Sequence, residues 1–505
     1  MNFRIANLLA ATSLIALCTA VPAFAQAAET VTIVVPSAPD RLDPCETPRG
    51  GVGRIIKQNV VETLVELDYT DGSVHPRLAE KWEQVTPTEW DFHLRPGVFF
   101  HDGAPLDAAA VVHTIERTLD PALTCITRTK YMDANPIAAA VVDPMTVRIT
   151  TATPNPILPT LLTQLSISSP NTPKGDYTNN PIGTGPYRFV EWQEGTSIKL
   201  ARNVEYWGEE PVIDEATYVW RGETSIAAAM VETGEADLAF SIAPQDATSP
   251  EMDKAYPNAE TSMYRLFALA APLDDIRVRK AINLAIDREA FLGSVISSEA
   301  KLATQQVGPN VVGFNPNLTP WTYDPDQAKA LLDEARAAGV NVDAPIRLIG
   351  RPEMFSNATE LVEATAEMLR AIGLTVNVEM LEVKQWLEMA NKPFAENGGP
   401  SILLSMHDNA GGDASFTAYF KYHSEGRQSV FAIPELDALI DKAGTLPGEE
   451  RAAAYQEVFR VLHEDIVADV QLFHMVNYMR VGPRLDFTPT LANAVELQLA
   501  QLKLK

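Results

Sequence analysis

The stretch that decides the fold runs from Pro345 to Met380 and reads PIRLIGRPEMFSNATELVEATAEMLRAIGLTVNVEM. Ile346-Arg347-Leu348-Ile349-Gly350 reads as a short buried strand. From Asn357 to Ile372, Leu361, Ala364, Met368 and Ile372 share one helical stripe, and Gly373 stops it. Leu374-Thr375-Val376-Asn377-Val378 then alternates as a half-buried strand does. Strand, helix and strand in this order make a βαβ unit, so the chain is expected to be α/β with parallel pairing.

The same pattern extends outward. Thr30-Val31-Thr32-Ile33-Val34-Val35-Pro36 is a β-branched run that predicts a buried strand. Pro105 opens a helical pattern with Val111, Val112, Ile115 and Leu119. Asp324-Pro325 reads as an N-cap followed by proline at the first helical position. Ala328, Leu331, Leu332 and Ala335 follow on one face, and Gly339 ends the helix. No internal repeat, low-complexity tract or long linker separates the halves, so intertwined domains are expected.

The chain has 505 residues, 46% of them hydrophobic, enough for two to four domains with full cores. Lys+Arg 40 against Asp+Glu 66 gives a net charge of −26, which argues against nucleic acid and anionic lipid as partners. Met1–Ala25 has Arg4, an apolar run from Ile5 to Val21 and Ala23-Phe24-Ala25, an A-x-A cleavage pattern. It reads as an export signal cleaved after Ala25, and Leu17 before Cys18 argues against lipid attachment. Cleavage would leave 480 residues with net charge −27. No later run approaches the ~20 apolar residues of a spanning helix, so the protein is not expected to be membrane-embedded. Of three cysteines, Cys45 and Cys125 would remain, either paired in an oxidising compartment or buried as two thiols.

Catalytic signatures are missing from the sequence. It contains no H-E-x-x-H, C-x-x-C, G-x-S-x-G or G-x-x-x-x-G-K-[ST]. Gly183-Thr184-Gly185-Pro186 reads as a tight turn rather than a phosphate loop, and His101-Asp102-Gly103 as a turn rather than a metal site. No cofactor and no resident metal are expected.

Several blocks in order resemble the extracytoplasmic solute-binding proteins of the peptide/nickel family (family 5), which serve ABC importers. They are Leu42-Asp43-Pro44, Pro76-Arg77-Leu78-Ala79-Glu80-Lys81-Trp82, and Leu94-Arg95-Pro96-Gly97-Val98-Phe99-Phe100-His101-Asp102-Gly103. Ile182-Gly183-Thr184-Gly185-Pro186-Tyr187, Arg202-Asn203-Val204-Glu205-Tyr206-Trp207 and Gly234-Glu235-Ala236-Asp237-Leu238 follow, then Asp275-Ile276-Arg277-Val278-Arg279-Lys280-Ala281 with Ala285-Ile286-Asp287-Arg288. Ala270-Ala271 stands where the family often carries an Asn in the hinge strand after that strand's apolar run, a departure that could alter how the hinge strand meets the ligand. The resemblance implies a two-lobed periplasmic binding protein fold, type II-like, with an extra domain inserted in the first lobe. By analogy residues 26–48, 181–268 and 476–505 form lobe I, 49–180 the inserted domain and 269–475 lobe II. A Cys45–Cys125 link would then pin the insertion to its parent lobe.

Ligand-binding candidates follow from strand ends, because open α/β sheets bind ligands beyond the carboxyl ends of their strands. Arg351 is the first residue past Ile346–Gly350. His407 and Asp408 lie just beyond the run Ser401-Ile402-Leu403-Leu404-Ser405-Met406, and Asp413 follows a glycine-rich turn. Arg and Asp at two such ends can hold the two ends of a zwitterion. Arg351-Pro352 with Asn357-Ala358 resembles the dipeptide-binding branch, in which that Arg takes the peptide carboxylate, while Asp408 and Asp413 compete for the amino-holding position. Trp386 is a candidate aromatic wall and Tyr264 a candidate on the hinge strand. Each has a structural alternative: Arg351 paired with Glu353, Asp413 capping the next helix, Trp386 in the core. A metal chelate meeting His407, His423 and His474 is a further option.

The expected function is a monomeric periplasmic receptor, not an enzyme, that closes over a short peptide or peptide-like solute and delivers it to an ABC permease. The alternatives are the same fold binding a non-peptide solute (metal chelate, sugar or opine), a secreted hydrolase, or a chaperone-like or sensory protein.

Overall fold

A computed structural model describes residues 28–133, 135–352, 354–394, 399–409 and 411–505. The expected leader with its cleavage pattern, and Glu353, lie outside the described residues.

In chain order the main sheet is built from β1 (Thr30–Val35), β2 (Tyr187–Gln193), β3 (Ser197–Arg202), β4 (Glu215–Trp220) and β5 (Leu238–Ile242). It continues with β6 (Asp253–Leu266), β7 (Ile346–Gly350), β8 (Val376–Met380), β9 (Ser401–Asp408) and β10 (Asp469–Val481). The spatial order is β2-β3-β4-β1-β5-β10-β6-β9-β7-β8, and Lys301–Leu302 adds beside β10. β1 lies parallel to β4 on one side and β5 on the other, and β7 lies parallel to β8 and β9. Strands flanked on both sides in this way are rich in β-branched residues, as β1 is with Val31, Ile33, Val34 and Val35.

The fold is divided at β6 and β10, the two strands that run from one half of the sheet into the other. Asp253–Pro257 pairs with Val476–Arg480 beside β5; the register then shifts, and Thr261–Arg265 pairs with Asp469–His474. From Glu260 on, β6 also pairs with β9. One core surrounds β1, with Val31, Ile33, Tyr187, Leu200 and Leu238, and takes in Leu497, Leu499 and Leu502 from the C-terminal segment. A second surrounds β7, with Ile346, Leu348, Leu361, Leu369, Ile402 and Leu404.

A third core, with Leu78, Phe92, Val111, Ile115, Val147 and Leu161, belongs to a separate antiparallel sheet ordered Ala79–Thr86, Glu89–Leu94, Thr146–Thr151, Ile137–Asp143. Helix α1 (Ala108–Leu119) packs on it. α1 starts three residues later than its apolar pattern suggests, because the Asp107 side chain accepts from Ala110 N at 2.9 Å and caps it there. Helix α2 (Pro325–Ala337) has the expected cap, Asp324 accepting from Gln327 N at 2.9 Å. Helix α3 (Ala358–Ala371) completes the βαβ unit between β7 and β8.

Cys45 and Cys125 are joined by a disulfide. Beside it, Arg117 of α1 makes a two-pronged contact with Asp43 at 2.9 and 2.6 Å, so the third core is tied to the segment after β1 by a covalent and an ionic link. The turn at Gly183 and Gly185 has a steric cause. A Cβ on Gly183 would lie 2.0 Å from the Val60 carbonyl oxygen, so only glycine lets these backbones meet. Ala270-Ala271 is not part of a strand: β6 ends at Leu266 and the pair sits in the turn before the next helix. The expected effect of that departure on the hinge strand therefore has no place in the structure. Among the described residues, no helix is long and apolar enough to cross a membrane.

Candidate ligand-binding cavity

β7 and β9 run parallel, so their carboxyl ends open on the same edge of the sheet. A cavity of about 260 Å³ lies there, lined by Arg351, Trp386, His407 and Asp408 together with Lys130, Glu260, Met354, Met406, Phe420, Lys421 and Gln428. Four of the six ligand-binding candidates thus converge on one space.

Arg351 follows β7 directly, and its guanidinium lies 5.2 Å from the centre of the Trp386 ring, within cation–π range. Trp386 sits on helix α4 (Val383–Ala390), and its indole N–H donates to the Leu404 carbonyl at 2.9 Å. It is both a core residue and a wall of the cavity, because one edge is anchored on β9 while the ring carries the arginine. His407 is buried, with Nε2 at 2.7 Å from the Thr417 hydroxyl on helix α5 (Ala414–Tyr422). Burial, then the nearby Lys421 charge, push its pKa well below the ordinary value, so the ring is neutral.

Asp408 ends β9, and Lys130 reaches it from the third core with Nζ 2.5 Å from the carboxylate. Burial works against the Lys130 ammonium, yet the Asp408 charge and the Tyr131 phenol outweigh it and its pKa rises. Glu260 lies opposite Asp408 in register. Burial first, then the Asp408 charge, raise its pKa against the opposing Arg54, Arg351 and Lys130. Lys421 on α5 is buried with Nζ 3.5 Å from Ser405 Oγ, and burial, then Arg265, lower its pKa well below that of a free lysine.

The other two candidates do not reach the cavity. Asp413 accepts from Ser415 N at 2.9 Å, capping α5, and takes both prongs of Arg451 at 2.8 Å from helix α6 (Gly448–Arg460). Its oxygens are committed inside the protein, so of the two competing aspartates only Asp408 faces the cavity. Tyr264 is fully buried and its hydroxyl lies 2.9 Å from Thr365 Oγ1 on α3, which makes it a core residue. His423 and His474 are absent from the lining, and among the described residues no group of three His, Cys, Asp or Glu is placed to hold a metal ion.

Lys130, Glu260 and Lys421 had no signal in the sequence. Lys130 lies on a π-helical turn, Arg128–Met132, far from β9 in the chain. A second cavity of about 320 Å³ sits where β6 and β10 change register, lined by Pro257, Glu260, Thr261 and His474 among others. The crossing strands supply part of its walls, Glu299, Lys301, Gly308, Pro309, Asn310, Asn409 and Leu491 the rest, and it shares Glu260 with the first.

Residues 73–428 match the family described as bacterial extracellular solute-binding proteins, family 5 Middle. A probable di/tripeptide-binding protein 5 of Pseudomonas aeruginosa is 28% identical over 478 residues, spanning 87% of this chain and 89% of that protein. The glutathione-binding protein GsiB of Salmonella paratyphi A is 29% identical over 387 residues, 74% of each. The periplasmic binding protein DppA of Helicobacter pylori, solved with the peptide STSA, superposes with a TM-score of 0.77 at 20% identity, over 94% of this chain and 98% of that one.

Proposed function

The chain belongs to the bacterial extracellular solute-binding proteins of family 5, and from that premise we propose that it is the receptor of an ABC importer. It takes up a short peptide or peptide-like solute between its lobes and delivers it to a membrane permease. The observation that carries this reading is the convergence of Arg351, Trp386, His407 and Asp408 on one cavity at the carboxyl ends of β7 and β9, with Lys130 arriving from the other side.

By the family analogy, lobe I takes the segment around β1 with residues 181–268 and 476–505, lobe II residues 269–475, and the inserted domain lies within 49–180. Val52, Ile55, Ile56, Val60 and Val61 pack in the core around β1, so the insertion proper begins near Glu62. β6 and β10 are the crossing strands. Contacts between the halves supply the closed form: Lys130 with Asp408, Tyr131 edge-on to Phe416 at 5.1 Å, and Asn310 donating to the Tyr69 carbonyl at 3.1 Å. Ligand binding shifts the population toward that form by touching both lobes. The protein works as a monomer in the periplasm after cleavage behind Ala25, and no covalent step is needed.

Arg351 is the fork for the ligand carboxylate. Isothermal titration of a dipeptide is expected to show Arg351→Ala weakening binding by about 1.5–3 kcal/mol, roughly ten- to a hundredfold. An affinity unchanged by the substitution would remove the carboxylate contact from this reading.

A further inference from the structure

Among the residues around the cavity, Lys130 stands where a ligand's amino group would be expected, against Asp408. Its position is held by its neighbours. Tyr131 and Met132 belong to the third core, Tyr131 meets Phe416 of α5 edge-on, and the Lys130 ammonium lies 5.1 Å from the Tyr131 ring centre. A free α-ammonium arriving at Asp408 would have to displace this lysine or sit beside it, cation against cation in a partly desolvated space. The remaining charges point the same way. Among the described residues, the Arg351 guanidinium lines the cavity beside the Lys130–Asp408 pair, and Asp408 and Glu260 lie opposite each other in register. A carboxylate has Arg351 to meet, whereas an ammonium has an acidic pair whose Asp408 already holds the Lys130 cation.

We propose that Lys130 is a specificity-determining residue that fills the amino position at Asp408, so that the cavity prefers carboxylates whose nitrogen end is capped, N-acyl amino acids and N-acyl dipeptides, over free peptides. This rests on the receptor reading of the same cavity and names its ligand class.

The test is calorimetric titration of the full mature protein with alanyl-alanine and N-acetyl-alanyl-alanine, for the wild type, Lys130→Met and Lys130→Gln. Equal melting temperatures identify variants that have folded, and the glutamine keeps a polar end should methionine fail. The wild type is expected to bind the acetylated dipeptide at least about tenfold more tightly than the free one, the lower end of what one charge-assisted hydrogen bond contributes. Either substitution should shrink that preference at least about tenfold by improving the free dipeptide. A wild type that prefers the free dipeptide overturns the inference and leaves the receptor reading standing. So does an equal loss of both probes in the variants, since Lys130 would then act only as a closure contact. Binding of neither probe overturns the inference and the peptide-receptor reading together.

Discussion

Asp413→Ala is expected to destabilise the folded protein by about 3–5 kcal/mol, the usual cost of stripping one partner from a buried ion pair. Ligand affinity of the folded fraction should stay within about twofold, because the residue does not line the candidate cavity. Asp413 and Arg451 are 4% and 2% exposed, so neither charge has water to turn to when the other is removed. Arg451 also donates to the Gly444 carbonyl at 2.8 Å, a bond that holds the guanidinium in place without neutralising it. The α5 cap would be lost as well. Guanidinium denaturation gives the stability change, and titration of the same sample gives the affinity. Replacing both partners by apolar residues, Asp413→Leu with Arg451→Met, should recover most of the loss, since the stranded charge is what costs. Wild-type stability with abolished binding would return Asp413 to the ligand site.

A loss of similar size, about 3–5 kcal/mol, is expected for Arg117→Met at the joint between the third core and the segment after β1. Asp43 is fully buried and accepts from Arg117, from Cys45 N at 3.0 Å and from Thr178 N at 2.8 Å. The arginine donates further to the Pro173 and Asp176 carbonyls at 2.7 and 2.8 Å, which a methionine leaves without that partner. The adjacent disulfide closes a separation of 80 residues. Its reduction alone should cost on the order of 4 kcal/mol by the chain-entropy relation. Because Asp43 and Cys45 share the joint, the two losses should not add. Reduced Arg117→Met protein is expected to lose less than the sum of the single effects, measured by denaturation with and without reductant. Full additivity would mean that the ionic and covalent links restrain different motions.

The fold could be read from local chemistry. The βαβ unit over β7, α3 and β8, strand β1 and the Asp324 cap all depend on neighbours within a few residues, and such signals survive without tertiary information. The half of the site beyond β7 and β9 was legible for a related reason: strand polarity sends Arg351, His407 and Asp408 to one edge. What stayed hidden depended on distant partners. Whether Asp408 or Asp413 lines the cavity turns on Arg451, 38 residues beyond Asp413, whose place on α6 only the packed structure supplies. Lys130 and Asp408 are 278 residues apart, and a lysine on a short helical turn reads in sequence as a solvated charge. Tyr264 lies on a crossing strand, but which of β6's two faces meets α3 is decided by the register with β9 and β10.

Lobe closure around an intact, peptide-like ligand is tested most directly by following the inter-lobe distance during titration. Labels can be placed at Val141, on the strand Ile137–Asp143 of the separate sheet, and at Tyr323, just before α2, both 51% exposed. Titration with free and N-acetylated dipeptides is expected to shorten the label separation saturably, with one ligand per chain recovered chemically unchanged. A separation that stays constant at saturating ligand, or a peptide returned hydrolysed, would contradict it.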